Sequence, residues 1–361
     1  MELPPNRSGP APTISRVAAE AMVSRATVSR AFGAPHLLSR ETVEAVRAAA
    51  ARLGYVPNQT ARALSTGRTG NIALVVPDIT NPFFAALMRG AQARARAAGY
   101  AMFLGDSDER PELEDELLAK LAAQVEGFLL VAPRMAEDRI RHHAARRPTV
   151  LINSDVPDLT RLLVDTGPSY ARGVEHLAEL GHRRIAYVAG PAQSWSNAQR
   201  SAAVKATAKR LGLRLVILPT PRPSFEAGRA CAKPLLLKQV TAALAFDDGM
   251  AQGIAAGLAD WAQSVPDDFS LIGCDGVIAT TTVPALTSVA TQCGAAGERA
   301  VDILVDMMRD RAAGHHRITI PTDLVVRAST GRPRICAAAT GTVERRGGID
   351  GRRGSPSLVG A

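Results

Sequence analysis

The sequence predicts two units of different class: an all-α unit near the N-terminus and a larger α/β unit of two lobes with doubly wound parallel sheets. Residues 13–56 contain three short helical patterns, each preceded by a residue that favours a helix N-cap. From Ile72 onward, short apolar runs alternate with longer helical stretches. This alternation is typical of βαβ units, whose strands lie parallel and whose crossovers are right-handed.

The positive charge of the chain lies at its two ends. Residues 1–70 contain nine Arg, no Lys and four acidic residues, a formal charge of +5, and residues 332–361 contain six Arg and two acidic residues, a charge of +4. Because the whole chain carries +9, residues 71–331 are neutral. A basic unit attached to a neutral body suggests a nucleic-acid binder with a second function. A solvated basic surface is the alternative interpretation.

The composition and the absence of certain motifs argue against several classes of protein. With 46% hydrophobic and 21% charged residues, the chain can bury a core, which argues against disorder throughout. We expect no membrane span, since no apolar run approaches the roughly 18 residues required, and no secretion signal, since the first residues lack an apolar segment. The cysteines are far apart, and the common nucleotide, zinc-protease and serine-hydrolase motifs are missing. We therefore expect no metal, no cofactor and no catalytic residues.

Three helices are predicted in residues 13–56, after a loose proline-rich arm at residues 1–12. Thr13 can cap the first helix, Ser24 the second, which has the sequence RATVSRAF, and Ser39 the third. In each helix the apolar residues recur at helical spacing, which places them on one face. Three short helices with a tight turn between the first two are typical of a helix-turn-helix motif.

The second helix carries residues suited to DNA. Short side chains at its start allow the helix N-terminus to approach phosphates, and Arg25 and Arg30 can reach the O6 and N7 atoms of guanine. The candidate DNA contacts of this unit are Thr13, Ser24, Arg25, Ala26, Thr27 and Arg30. The alternatives are that Ser24 is only a cap, that Thr27 packs inside and that the arginines are solvated.

Several segments in a fixed order carry a family resemblance. VSRATVSRAF, SRETVEAVRAAAARLGYVPN and ARALSTGRTG, followed by IALVVPDITNPFF, resemble the corresponding segments of LacI/GalR family transcriptional regulators. The chain departs from the family at Met22, where the family usually has Gly in the helix–helix turn. It departs again at Gly33-Ala34, where Asn-Gly is usual. If the turn needs a positive φ, Met22 costs roughly 1 kcal/mol or more.

The resemblance implies that residues 57–70 form a hinge helix and linker. In the family this helix folds only when two copies meet on operator DNA, and the nine residues QTARALSTG are too few for a helix that stands alone. By the resemblance, Leu64 is the wedge placed in the minor groove, Ala61 allows close approach and Asn58 contacts phosphate. Packing of Leu64 against the body is the alternative.

The apolar runs of the body are predicted to be strands. They are residues 72–76, 101–105, 127–131, 149–153, 161–164, 185–189, 215–218, 242–246 and 270–273. The predicted helices between them include Phe83–Ala98, Pro168–Leu180 and Asp248–Trp261.

The resemblance implies a periplasmic-binding-protein-like fold for residues 71–331, with a ligand cleft between two lobes. We expect lobe N to comprise residues 71–164 and 290–314, and lobe C residues 165–289 and 315–331. The chain would then cross between the lobes near Val164, Val289 and Gly314. The basic tail, residues 332–361, has no periodicity and is predicted to be disordered.

Polar and aromatic residues follow many of the predicted strands, at the edge where parallel sheets bind ligands. The candidate effector contacts are Asp78, Phe83, Asn153, Trp195, Arg200, Phe225, Asp247 and Asp275. Carboxylates, an amide, an arginine and aromatic rings in one cleft suit a polyhydroxylated ligand. In the family, the positions of Phe83, Asn153, Arg200, Phe225, Asp247 and Asp275 contact small-molecule effectors. For two neighbours we expect other roles, a helix N-cap for Asp248 and core packing for Phe84.

Two further departures from the family bear on the ligand. Family members often have Asn-Asp where this chain has Asp247-Asp248, and Arg-Gln where it has Ala290-Thr291. The additional acid and the lost amide make the predicted pocket more anionic. This favours a neutral sugar or polyol over a phosphorylated one.

The sequence therefore predicts a cytoplasmic, nucleoid-associated transcriptional regulator, a repressor by the usual mode of the family. As a homodimer it would place two recognition helices in successive major grooves of a near-palindromic double-stranded operator. A carbohydrate effector in the cleft would change its affinity for DNA. One alternative is a sugar-binding protein without a DNA role, which predicts no helix-turn-helix. Another is an α/β enzyme, for which no catalytic constellation is found.

Overall fold

The computed structural model describes residues 12–56, 68–310 and 315–334, and it confirms an all-α unit followed by an α/β unit with two sheets. Most of the predicted arm and tail lie outside these ranges, and so does the predicted hinge helix. Among the described helices, none is both long and apolar enough to cross a membrane.

The N-terminal unit contains three α-helices packed around a small apolar core. They are α1 (Ile14–Glu20), α2 (Arg25–Gly33) and α3 (Arg40–Leu53), with a short 3₁₀ helix, Pro35–Leu37, before α3. The predicted caps are confirmed at Ser24 and Ser39. Their hydroxyls accept hydrogen bonds from the backbone N–H groups of Thr27 and Thr42, at 3.1 and 3.2 Å. Val17, Val28 and Val46 are fully buried where the three helices meet. The helical pattern in the sequence therefore identified both the helices and their inner faces.

Met22 lies in the turn between α1 and α2 with a φ of 53°, in the left-handed region. Its side chain is 92% exposed, so little packing offsets the strain. The turn thus has the conformation in which Gly is favoured, and the expected cost of roughly 1 kcal/mol or more applies to this chain.

Lobe N is built on a six-stranded sheet in which every strand pair is parallel. Its strands are β1 (Asn71–Val76), β2 (Ala101–Asp106), β3 (Phe128–Val131), β4 (Thr149–Ile152), β5 (Arg161–Asp165) and β11 (Arg317–Pro321). Their order across the sheet is β11-β5-β4-β3-β1-β2. The helices of this lobe are α4 (Pro82–Ala97), α5 (Pro111–Leu121), α6 (Glu137–Ala144) and α11 (Cys293–Arg309).

Lobe C is built on a second six-stranded sheet, which is parallel except at one edge. Its strands are β6 (Arg184–Ala189), β7 (Arg214–Pro219), β8 (Ala242–Ala245), β9 (Ser270–Asp275), β10 (Thr287–Ala290) and β12 (Asp323–Val325). Their order is β12-β10-β9-β8-β6-β7, and β12 runs antiparallel to β10. The helices of this lobe are α7 (Gly167–Leu180), α8 (Trp195–Arg210), α9 (Phe225–Leu237) and α10 (Asp248–Ala259).

The crossings between the lobes follow from the order of the strands. Two predicted crossings lie close to the ends of β5 and β10, after which the chain passes to the other lobe. The third prediction, near Gly314, is wrong, because α11 before it and β11 after it both belong to lobe N. The chain returns to lobe C at Thr322, between β11 and β12.

Glycines allow α4 and α11 to pack backbone to backbone in lobe N. A Cβ atom on Gly90 would lie 2.1 Å from the carbonyl oxygen of Gly294, and one on Gly297 would lie 2.1 Å from the carbonyl oxygen of Leu87. A side chain at either position would push the helices apart. The backbones of α4 and α11 are therefore in direct contact at these positions.

Candidate functional site

The exposed side of α2 is the candidate nucleic-acid interface. Ser24, Arg25, Ala26 and Arg30 are exposed, and Thr27 is half-buried. The helix contains no acidic residue, and its N-terminus carries the positive end of the helix dipole. This arrangement of a capped helix start and two arginines is what major-groove binding by a helix-turn-helix requires.

The remaining predicted DNA contacts fall into two groups. Thr13 is exposed at the start of α1, and the predicted cap by its side chain is wrong, because that side chain makes no cap hydrogen bond. Its contact with a phosphate stays a prediction. Asn58, Ala61 and Leu64 lie outside the described residues. Their assignment to a hinge helix stays a prediction.

The second candidate site is the cleft between the lobes, at the carboxyl ends of both sheets. Its empty space, including the mouth, is about 400 Å³. The residues that line it are Asn81, Phe83, Phe84, Glu109, Ala132, Arg134, Asn153, Ser194, Ser196, Arg200, Pro223, Phe246 and Asp275. Four predicted effector contacts, Phe83, Asn153, Arg200 and Asp275, are among them. Ligand-facing residues were expected at the strand ends, and the cleft lies there.

Three other predicted contacts lie beside the cleft and do not line it. Asp247 is the N-cap of α10, a role expected for Asp248 instead. Asp78 accepts hydrogen bonds from the backbone N–H and hydroxyl of Thr80, at 2.8 and 2.6 Å. Trp195 is half-buried at the start of α8, and the serines on either side of it line the cleft.

Phe225 begins α9, as predicted, but it is not among the residues that line the cleft. Because Ser224 caps α9, the helix begins at Phe225, whose side chain is 41% exposed. It lines a separate groove, which also contains Pro284. Pro223 and Phe246 supply apolar surface to the cleft in its place.

Several lining residues were missed by the sequence analysis although a signal for them was present. Ala132 and Arg134 follow β3, Glu109 follows β2 and Phe246 follows β8. The rule that picked out the residues after other strands applies to these strand ends as well. Phe84, which was expected in the core, is buried there and lines the cleft too.

Arg200 is the central polar group of the lobe C wall and is only 4% exposed. Its Nε donates to the Thr166 hydroxyl at 3.0 Å, its Nη1 donates to the carbonyl of Phe246, and its Nη2 lies 3.8 Å from Oδ1 of Asp275. The guanidinium carbon also lies 4.6 Å from the ring centre of Phe246 and 5.4 Å from that of Tyr170. These partners fix the plane of the guanidinium in the wall of the cleft.

Asp247 and Asp275 lie near this arginine at the ends of β8 and β9, whereas Asp248 accepts a hydrogen bond from Ser288 at 2.6 Å. Burial raises the pKa of Asp275 to about 8, although the Arg200 guanidinium opposes the rise. Burial also raises the pKa of Asp247, and it raises that of Asp248 to about 7. Asp275, the one of these acids that lines the cleft, offers oxygens that can accept hydrogen bonds from ligand hydroxyls.

The lobe N wall carries a second pair of arginine and carboxylate, which the sequence analysis did not predict. Arg134 donates from Nε and Nη2 to the two carboxylate oxygens of Glu109, the second at 3.0 Å, and from Nη1 to the carbonyl of Ala132 at 2.7 Å. The side chains of this pair are 5% and 10% exposed. Each wall therefore pairs an arginine with an acidic side chain.

Left-handed backbone conformations occur at the strand ends that line the cleft. Ala132, Asn153 and Asp275 have φ values of 43°, 54° and 102°. The Asn153 side chain accepts the backbone N–H of Val164 at 2.9 Å, which holds its conformation. Strain of this kind costs about 1–2 kcal/mol per residue and is concentrated at functional sites.

Two side-chain contacts join the lobes around the cleft. Inside, Nδ2 of Asn81 donates to Oδ2 of Asp247 at 3.0 Å. At the edge, Arg222 of lobe C bonds to Asp108 of lobe N. Both contacts require the lobes to be close together, so the structure shows the cleft in a closed form.

Family models match both parts of the chain. Residues 13–58 match the model of bacterial regulatory proteins of the lacI family. Residues 174–330 match a periplasmic binding protein-like domain.

Similar proteins cover most of the chain. The HTH-type transcriptional repressor CytR of Escherichia coli strain K12 is 31% identical over 329 residues, which cover 89% of this chain and 96% of CytR. The lac repressor dimer bound to operator and the anti-inducer ONPF matches with a TM-score of 0.79 at 25% identity, over 89% of this chain and 100% of that one. The complex of the transcriptional regulator CelR with cellobiose matches with a TM-score of 0.67 at 27% identity, over 88% and 99%. With its helix-turn-helix unit and two-lobed body, the chain belongs to the lacI family of bacterial regulatory proteins.

Proposed function

We propose that this protein is a sequence-specific transcriptional repressor that acts as a homodimer, and that a small carbohydrate in the interlobe cleft sets its affinity for a near-palindromic operator. The observation that carries the proposal is the presence, in one chain, of an exposed arginine-bearing recognition helix and a closed polar cleft. The first can read base edges in DNA and the second can bind a small molecule. A ligand that favours one arrangement of the lobes can then change DNA affinity.

The DNA-binding half of the proposal rests on α2. Arg25 and Arg30 would contact base edges in the major groove, while Thr13 and Ser24 would contact phosphates. Two copies related by a two-fold axis would bind half-sites about one helical turn apart. The lac repressor structure, a dimer on its operator, supports this arrangement.

The effector half rests on the chemistry of the cleft walls. Arg134 and Arg200 already face Glu109 and Asp275, so a phosphate would find no unpaired guanidinium among the described lining residues. Serine hydroxyls, the Asn153 amide and the buried carboxylates suit hydroxyl groups, and the phenylalanine rings suit the C–H faces of a sugar. The similarity to a cellobiose-bound regulator supports the same class of ligand.

A thermal-shift panel on the full chain tests the effector half. D-ribose, glucose and cellobiose serve as neutral probes, and glucose 6-phosphate serves as the charged comparison. We expect a neutral sugar to raise the melting temperature in proportion to RT ln(1 + [L]/Kd), and the shift to disappear in Asp275→Asn. A larger shift with the phosphate ester than with every neutral sugar would overturn the proposed ligand class.

Selection of duplexes from a randomised DNA library by the full chain tests the DNA-binding half. We expect enrichment of an inverted repeat whose half-sites are about one helical turn apart. Recovery of unrelated sequences would show that the helix-turn-helix unit does not read bases.

A further inference from the structure

A stiff segment of lobe C, residues 220–224, borders the cleft. Its ends are fixed, because the hydroxyl of Thr220, which is 6% exposed, donates to the carbonyl that ends β6, and because Ser224 caps α9. Arg222 lies between two prolines, which restrict the backbone, and the second of them, Pro223, lines the cleft. The segment therefore holds the Arg222 guanidinium at the edge of the cleft.

The loop of lobe N opposite this segment is acidic. Nη2 of Arg222 donates to Oδ1 of Asp108. This hydrogen bond raises the pKa of Arg222, and the carboxylates of Asp78 and Glu109 contribute to the rise. Arg222 and Asp108 are 51% and 50% exposed, so the pair lies where the cleft meets solvent. One cation of lobe C thus bonds to Asp108 of lobe N and interacts at longer range with Asp78 and Glu109.

The same loop also shapes the wall of the cleft. Asp108 and Glu109 have φ values of 50° and 59°, two consecutive left-handed residues without glycine. Glu109 donates its backbone N–H to the carbonyl of Pro77 at 2.7 Å, and its carboxylate holds Arg134 in the wall. The residue at the edge of the cleft and the residue that orients Arg134 are therefore neighbours in one strained loop.

We propose that Arg222 and Asp108 form an electrostatic clasp that sets the balance between open and closed lobes, and that the clasp helps Glu109 to position Arg134 in the cleft. This inference deepens the proposed function, because the clasp would regulate access to the proposed effector site. Opening the lobes separates Arg222 from the three carboxylates, so salt weakens the closed form. An exposed pair of this kind changes the ratio of closed to open molecules by roughly 1.5- to 5-fold.

The distance between the lobes tests the clasp in the full chain without DNA or sugar. Spin labels on Glu112→Cys in α5 and Lys205→Cys in α8, both exposed, report this distance by double electron–electron resonance. Cys231, Cys274 and Cys293 are buried, and Cys336→Ser removes the remaining thiol. Since neither DNA nor sugar takes part, failure of the clasp and failure of the proposed function are separate outcomes.

We expect Arg222→Glu to shift the distances toward longer values, because it places a carboxylate directly against that of Asp108. The double variant Arg222→Glu/Asp108→Arg should recover part of the closed population. The matched control reverses Arg229 and Asp260, an ion pair within lobe C of similar exposure, and should leave the distances unchanged. The same distances in Arg222→Glu and the unsubstituted protein, or no recovery in the double variant, would overturn the clasp.

Hydrogen–deuterium exchange tests the positioning of Arg134. The backbone N–H groups of Arg134 and Met135 donate to Oε2 of Glu114, at 2.8 and 3.1 Å, so their exchange reports on this part of the wall. We expect faster exchange there in Arg222→Glu and slower exchange again in the double variant. Longer interlobe distances with unchanged exchange would show that the clasp does not act on Arg134.

Discussion

Asn81 and Asp247 connect the N-termini of two helices on opposite sides of the cleft. Oδ1 of Asn81 accepts the backbone N–H of Phe83 at 2.9 Å and caps α4, and Oδ1 of Asp247 accepts that of Met250 at 2.7 Å and caps α10. Their other polar atoms face each other, with Nδ2 of Asn81 donating to Oδ2 of Asp247 at 3.0 Å. Because capping orients the Asn81 amide, an acceptor is required opposite it.

Asp247→Asn should therefore weaken closure of the cleft. In one orientation the amide oxygen of the new asparagine caps α10, and its NH₂ group then faces the NH₂ group of Asn81. In the opposite orientation the oxygen can accept from Asn81, but α10 loses its cap. We expect faster hydrogen–deuterium exchange in the segments that line the cleft. The double variant Asn81→Asp/Asp247→Asn restores a donor and an acceptor and should recover protection. Protection of the single variant equal to that of the unsubstituted protein would contradict the bond between the lobes.

Met22→Gly should stabilise the N-terminal unit. Glycine removes the cost of the positive φ, and the exposed side chain contributes little packing, so we expect a gain of about 0.5–1 kcal/mol after the entropy of glycine in the unfolded chain is included. Urea unfolding followed by the helical circular dichroism signal measures the change. Met22→Ala is the control, because it removes the side chain but keeps the strain. An equal gain in both variants would show that φ is not the cause.

Local patterns predicted helices and nine of the twelve described strands, but not β10, β11 and β12. The sequence predicts a helix over Asp248–Trp261, and α10 spans Asp248–Ala259. The prediction succeeds because a helix cap and an apolar face depend on residues that are close together in the sequence. β11 has alternating exposure and pairs with β5, a strand far away in the chain. The residues of β11 and their neighbours in the sequence do not indicate which sheet this strand joins. The predicted crossing near Gly314 failed for this reason.

In the candidate site, too, some residues could be predicted from the sequence and others could not. The carboxyl ends of strands pointed to Asn153 and Asp275, because this rule follows from the topology of parallel sheets. The partnership of Glu109 with Arg134 depends on two strand ends that meet only in the folded lobe. Phe225 begins its helix as predicted but lines a separate groove, a detail of geometry and not of residue type.

Glu114 should make stability fall as the pH rises. It is 2% exposed, and burial raises its pKa to about 7, although the backbone N–H groups of Arg134 and Met135 lower it. A raised pKa in the folded state means that the stabilisation is complete below the ordinary value of 4.5 and is lost as the pH rises through 7. The loss amounts to a few kcal/mol.

Glu114→Gln should reduce this dependence, because glutamine keeps the acceptor but does not ionise. Urea unfolding between about pH 5 and pH 8 measures the free energy of unfolding across most of the window. Glu112→Gln, exposed on the same helix, is the control and should keep the original slope. A slope that is unchanged in Glu114→Gln would rule out a proton on this group as the cause.

At a pH above the Asp275 pKa of about 8, Arg200→Ala should destabilise lobe C by about 3–5 kcal/mol, because it leaves the buried carboxylate without its guanidinium and removes the hydrogen bonds to Thr166 and Phe246. Arg200→Ala/Asp275→Asn should recover part of the loss. Arg229→Ala breaks an exposed ion pair and should cost no more than about 1 kcal/mol. Similar costs for the two arginines, measured by urea unfolding, would mean that Arg200 does not organise the wall.

The affinity of the full chain for a duplex selected from a randomised library, compared with a scrambled duplex at the same salt concentration, tests the central claim that α2 reads DNA sequence. We expect the protein to prefer the selected duplex. We expect Arg25→Ala to lose about 1–3 kcal/mol of binding free energy on that duplex and little on the scrambled one. Equal affinity for both duplexes, or an equal loss on both in Arg25→Ala, would contradict a role for this helix in sequence recognition.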